Sequence, residues 1–172
     1  EAAYQELAKH LNKLPGGFPP SKTDAHIELL KHLFTEEEAK LATKLTLTQK
    51  TAQQIAETNQ RPLESTKNLL DTMEMKGLIF SKESENGEKF YQALPWVIGI
   101  YETQVNNLTD ELRKLKEYWS TREPREKNYE LQLRTIPINE SIEPTLEILP
   151  YEQVNKLVEE NTVFAVAPCI CR

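Results

Sequence analysis

The chain is poor in cysteine and glycine, and it has no long apolar run. Its 2 cysteines both fall within the last four residues. A bridge between Cys169 and Cys171 would close a small, strained ring, and no third cysteine exists to pair with either, so a disulfide framework is excluded. The 5 glycines supply no phosphate-binding loop; Gly16 and Gly17 stand beside prolines and read as a turn. No stretch approaches the roughly 18–20 apolar residues of a membrane-spanning helix, and Glu1-Ala2-Ala3-Tyr4-Gln5 lacks the basic-then-apolar profile of a signal peptide. The chain therefore reads as soluble and cytoplasmic, with no membrane partner. Catalytic sets are equally scarce. His10, His26 and His32 fall in separate helical segments with no second ligand at metal spacing, and no Ser/His/Asp or Cys/His set stands out. These residues offer no basis for an active site of their own.

What is present suits one full domain or two small ones in 172 residues. Apolar residues make up 38%, below the globular norm of roughly 45–50%, so much of the chain should be solvated helix surface around modest cores. Residue 1 is not Met, and the chain stops directly after an apolar run; both ends read as trimmed.

The spacing of Leu7, Leu11 and Leu14 predicts a first helix, broken at Pro15-Gly16-Gly17-Phe18-Pro19-Pro20. A second helix fits Asp24 to Phe34, with Ile27, Leu30, Leu33 and Phe34 on one face. A third starts at Thr35, where Glu38 completes a capping box and Glu36 and Glu37 suit the positive end of the helix dipole. Thr51 to Thr58 is a short helix with Ala52, Ile55 and Ala56 inward, and Asn59-Gln60-Arg61 is a turn. Pro62 then opens a helix with Leu63, Thr66, Leu70 and Met73 on its buried stripe, and Gly77 ends it as a left-handed cap. Leu78 to Lys82 and Lys89 to Ala93 are strand-like runs joined through Asn86-Gly87, a hairpin dipeptide.

Helix, turn, helix and hairpin is the order of a winged helix-turn-helix. The expected fold class is α+β, mainly helical: a winged helix-turn-helix domain followed by a long helix and a small, partial α/β segment. Residues 1–95 form the winged-helix-like domain with its N-terminal helices. Residues 96–121 form a long connecting or dimerisation helix, in which Ile98, Tyr101, Val105, Leu108, Leu112, Leu115 and Trp119 make a heptad stripe that docks on its own domain or on a second copy. Thr109-Asp110 is a place where that helix could divide. Residues 122–130 are a polar linker. Residues 131–172 begin a second, cysteine-bearing α/β region. It has strands near Leu131 to Ile138 and Thr145 to Leu149, and a helix from Pro150 with Val154, Leu157 and Val158 inward. Val163 to Ala167 is expected as a buried strand.

A winged helix invites nucleic-acid binding, and the candidate contacts are Ser65, Lys67 and Asn68 on the second helix with Lys82 and Lys89 beside the wing. Electrostatics argue the other way. Residues 1–95 carry 12 basic and 14 acidic groups within a chain of net charge -6, whereas phosphate contacts supply most non-specific affinity. Glu64 and Asp71 would lie near phosphates, and the wing adds Glu83, Glu85 and Glu88. Nucleic acid is therefore a possible but not a favoured partner.

Cys169-Ile170-Cys171 is the sharpest feature. Two thiolates so spaced can ligate one metal centre, yet an iron–sulfur cluster usually takes four cysteines, and a lone Cys-x-Cys is a weak motif beside two incidental thiols. Six segments add context: Leu14-Pro15-Gly16-Gly17-Phe18-Pro19-Pro20, Leu33-Phe34-Thr35-Glu36-Glu37-Glu38-Ala39, Met75-Lys76-Gly77-Leu78-Ile79-Phe80, Val97-Ile98-Gly99-Ile100-Tyr101-Glu102, Leu133-Arg134-Thr135-Ile136-Pro137 and Val166-Ala167-Pro168-Cys169-Ile170-Cys171-Arg172. Together they resemble the N-terminal half of a family of ferredoxin-like iron–sulfur proteins of anaerobic bacteria and archaea, over essentially the whole chain. The resemblance implies a winged-helix-like region running into the first two cluster cysteines, here Cys169 and Cys171. It also implies a [4Fe-4S] cluster in the full-length protein, and a redox partner protein. It carries over no catalytic reaction. The rival expectation, from another class, is a transcription regulator whose winged helix binds DNA as a dimer through the heptad stripe.

Overall fold

The structure, a computed structural model, describes residues 1–107, 113–123 and 151–166. Its fold is α+β and mainly helical. Helix α1 spans Ala2–Lys13 and buries Ala3, Leu7, Ala8 and Leu11, the face set by the leucine spacing. The chain then turns through Gly16 and Gly17, both at positive φ, a region that costs glycine nothing. Helix α2 spans Ala25–Leu33 and α3 spans Glu36–Ala42. At the start of α3 the Thr35 hydroxyl accepts from the Glu38 amide and the Glu38 carboxylate accepts from the Thr35 amide, the expected capping box. Helices α2 and α3 both pack on α1, with Leu7, Leu29, Leu30, Phe34 and Leu41 at the centre.

Strand β1, Lys50–Thr51, leads directly into α4, Ala52–Thr58, followed by α5, Leu63–Met75. Ile55 and Ala56 of α4 face Thr66, Leu70 and Met73 of α5 across the core, all of them buried. Leu63, expected on that stripe, is 47% exposed. It stands in the first turn of α5, one residue past Pro62, where no neighbouring element covers it. Gly77 follows at φ 70; its N–H donates to Glu74 and that of Leu78 to Met73, which closes the helix as a left-handed cap does. Strands β2, Ile79–Glu83, and β3, Lys89–Ala93, pair antiparallel from Ile79 opposite Ala93 to Glu83 opposite Lys89. Strand β1 adds to the free edge of β3, giving the sheet order β1-β3-β2.

The core does not stop at residue 95. Trp96 and Ile100 are buried in it, and so is Tyr118 of α7, Arg113–Thr121, which packs against α2. The expected single helix over 96–121 is broken: Val97, Ile98 and Gly99 leave helical geometry. A single helical turn, α6 at Tyr101–Thr103, and a tighter 3₁₀ turn at Gln104–Asn107 follow. The break has local causes. The Gly99 amide turns away from the helix ladder to the Glu102 carboxylate at 2.6 Å, and glycine at 99 weakens the helix there. Ile98 in consequence is 70% exposed instead of lying on a buried stripe. The ring of Tyr118 fills the place given to that stripe, stacked on Phe18 at 4.9 Å between centroids and edge-on to Trp96 at 5.9 Å. Leu108 and Leu112 lie outside the described residues.

The first residues of the polar linker are anchored. Arg122 bridges to Ser21 and stacks over Trp119, and the Glu123 amide donates to Pro20. Further on, helix α8 forms at Tyr151–Glu159, but Val154, Leu157 and Val158 stand exposed there instead of inward. Residues 163–166 form no strand, and Val163, Phe164 and Val166 are exposed. No described element packs on them, so an apolar run alone does not make a strand. The strands expected between 131 and 149 and the rest of the linker lie outside the described residues.

Candidate functional site

The face of α5 turned from the core carries three of the residues singled out for nucleic-acid contact. Ser65, Lys67 and Asn68 are all exposed there, because Thr66, Leu70 and Met73 hold the opposite side in the core. The Ser65 hydroxyl donates to the Pro62 carbonyl at 3.1 Å, which spends its proton locally, while Lys67 and Asn68 carry no side-chain hydrogen bond among the described residues. Lys82 is exposed on β2, beside a shallow hollow between Gln49 and Phe90.

Lys89 is placed differently. Its ammonium donates to the Asp71 carboxylate at 3.0 Å and to Glu74, and it lies 5.4 Å from the centre of the Tyr91 ring. Tyr91, buried on β3, donates its hydroxyl to the same Asp71 oxygen at 2.7 Å, and Ser81 of β2 donates to Glu74. Five side chains from one helix and two strands thus form one network. Burial pushes the Tyr91 hydroxyl up, and the neighbouring Asp71 carboxylate adds to that. The Lys89 ammonium is held well above its ordinary range by Glu74 and Asp71. Partial burial would raise the Asp71 carboxyl, but hydrogen bonds from Tyr91 and Lys89 outweigh it and hold it lower.

Two consequences bear on the charge of this face. Lys89 is committed to carboxylates of its own domain and leaves the set of free cations. Asp71 is turned to the sheet and partly neutralised, so the exposed carboxylate nearest Lys67 and Asn68 on α5 is Glu64. In the loop between β2 and β3, the Ser84 hydroxyl and backbone close on Glu88, Gly87 takes φ 77, and Glu83, Glu85 and Glu88 remain exposed near Lys82, which forms no ion pair among the described residues. The partners of Lys89 escaped the reading of the sequence, although strand alternation does place Lys89 and Tyr91 on one face of β3.

Cys169 and Cys171 lie outside the described residues. Among the described residues no group of three or more His, Cys, Asp or Glu side chains gathers as a metal site. No described helix is long and apolar enough to cross a membrane. No family model, curated protein or solved structure matches the chain.

Proposed function

We propose that the chain is the N-terminal part of a ferredoxin-type [4Fe-4S] protein with an electron-transfer or redox-sensing role. Residues 36–93 serve in it as a winged helix-turn-helix scaffold. The segment Pro168-Cys169-Ile170-Cys171-Arg172, with its two thiols at ligand spacing, carries the iron–sulfur part of this reading. The element order helix, strand, helix, helix, strand, strand, with the first strand paired to the last, supports the winged helix. The commitment of Lys89 to Asp71 and Glu74 supports a scaffold over a phosphate reader. The chain's own donors do not complete a cluster: it has 2 cysteines where four are needed, and no described cluster of ligating side chains adds to them. On this reading the remaining ligands are further cysteines of the full-length protein.

The test is anaerobic purification of the full-length protein with visible absorption, iron and acid-labile sulfide measured beside a Cys169→Ser/Cys171→Ser double variant. Brown, iron-bearing protein whose colour falls in the variant is expected. Colourless, iron-free protein would overturn the reading.

A second reading, a DNA-binding regulator, is favoured by one observation: Ser65, Lys67 and Asn68 stand together, exposed, on one face of α5. It expects duplex DNA binding at low salt that falls steeply as salt rises and weakens in Lys67→Ala. Absence of binding at low salt removes it.

A further inference from the structure

A crevice of about 370 Å³ opens between α1, α2 and the turn that joins them. It lies at the small end of the roughly 300–1,000 Å³ typical of small-molecule sites. Ala8, Phe18 and Ile27, all buried, form its apolar floor. Phe18 is fixed in place: its amide donates to the Asn12 side chain at 3.0 Å, and its ring packs on Trp96 and Tyr118, each at 4.9 Å between centroids.

The rim is polar and electrically balanced. Lys9 is exposed and forms no ion pair among the described residues. Asp24 stands at the N-cap of α2, where an aspartate ordinarily accepts from a helix amide, yet it sits at φ 55 and makes no capping bond. His26 is 9% exposed. The Ser21 amide donates to its Nδ1 at 3.2 Å, and the Ser21 hydroxyl lies 3.0 Å from the same nitrogen. An amide can only donate, so Nδ1 is the acceptor and the neutral ring carries its proton on Nε2. That N–H has no protein partner among the described residues. Burial holds the imidazole below its ordinary range, and the fields of Asp24 and Glu123 offset this in part.

We propose that this crevice binds a small zwitterion with an apolar body, of the class of apolar α-amino acids. An anion alone would meet Asp24 and a cation alone would meet Lys9, whereas a zwitterion satisfies both. The ligand carboxylate sits at Lys9 and His26 Nε2, the ammonium at Asp24, and the apolar side chain covers Phe18 and Ile27. None of the residues that line this site lies on α5.

The test is amide NMR titration of the protein with L-leucine, beside leucinamide, which lacks the carboxylate, and N-acetyl-leucine, which lacks the ammonium. Saturable shifts at Ala8, Phe18 and Ile27 are expected with leucine. Each capped analogue should bind about tenfold more weakly or worse, the cost of one unpaired charged contact. Lys9→Met and Asp24→Asn should weaken leucine to a similar degree; both positions are exposed, so the fold should be retained, and the capped analogues test the same contacts on the unaltered protein. Absence of saturable shifts at millimolar leucine overturns the proposal, and so does equal binding of the capped analogues.

Discussion

The ammonium of Lys76 lies 2.7 Å from Oε2 of Glu38, whose side chain is 2% exposed, so the end of α5 is tied to the start of α3 across a charge held inside the protein. Glu38 also accepts from the Thr35 amide, and one carboxylate therefore caps a helix and joins two. Removal of the lysine leaves that carboxylate buried with only the capping bond. Lys76→Met should destabilise the fold by about 1–3 kcal/mol, less than a fully enclosed pair would lose because Lys76 itself is partly solvated. Urea unfolding gives the value, and an unchanged midpoint would show that the pair contributes nothing net.

Lys89 should report on folding more than on ligand binding. Lys89→Met leaves Asp71 and Glu74 without their shared cation, and a loss of about 1 kcal/mol is expected at this partly exposed site. A double-mutant cycle with Asp71→Asn should recover a coupling of about 0.5–1 kcal/mol. Additive effects of the two substitutions would mean the network is geometric only.

Acid should destabilise the protein through its histidines. Burial lowers the imidazole of His10, with a backbone hydrogen bond to Leu45 opposing it, and burial likewise lowers that of His26. The unfolded chain then binds more protons than the folded one. The stabilisation is complete above an imidazole value of about 6.5 and is lost as pH falls through the lower folded values. His10 Nε2 is buried without a partner, beside Phe34, Leu78 and Ile100. Melting temperatures should fall from pH 7.5 to pH 5.5, both about one unit from that value, and His10→Leu should flatten the profile. An identical slope in the variant would assign the effect to His26 or to carboxylates.

Gly77 admits no side chain. An added Cβ would lie 2.6 Å from Cβ of Thr103, and the residue sits at φ 70. The left-handed backbone alone costs an L-residue about 1–2 kcal/mol, and the clash adds to that. Thr103 donates its hydroxyl to the Gly77 carbonyl, so it cannot withdraw without breaking that bond. Gly77→Ala should lower the unfolding midpoint more than Gly87→Ala, whose nearest neighbour is a Glu83 oxygen at 3.8 Å. Equal effects would show that only φ matters.

Signals that live within a few residues were legible. Thr35 and Glu38 are three apart and find each other in any helix that starts there, and Thr51 with Gln54 repeats the arrangement. Gly77 ends α5 and Gly87 turns the hairpin because both take positive φ. The outward placing of Ser65, Lys67 and Asn68 follows from the period of α5 once its buried face is known.

What the tertiary structure decided are the partnerships between distant residues. Strand β1 is two residues long, too short to show any period, and exists because β3 offers an unpaired edge. The spacing over 98–119 would suit one continuous helix, yet the turn of the Gly99 amide to Glu102 and the enclosure of Tyr118 by Phe18 and Trp96 divide it. Whether Lys89 serves a phosphate or Asp71 depends on a residue 18 positions away, brought close only when the sheet packs on α5. Local backbone preference sets where elements begin and end; which charges remain free to act is set by what each one meets when those elements pack.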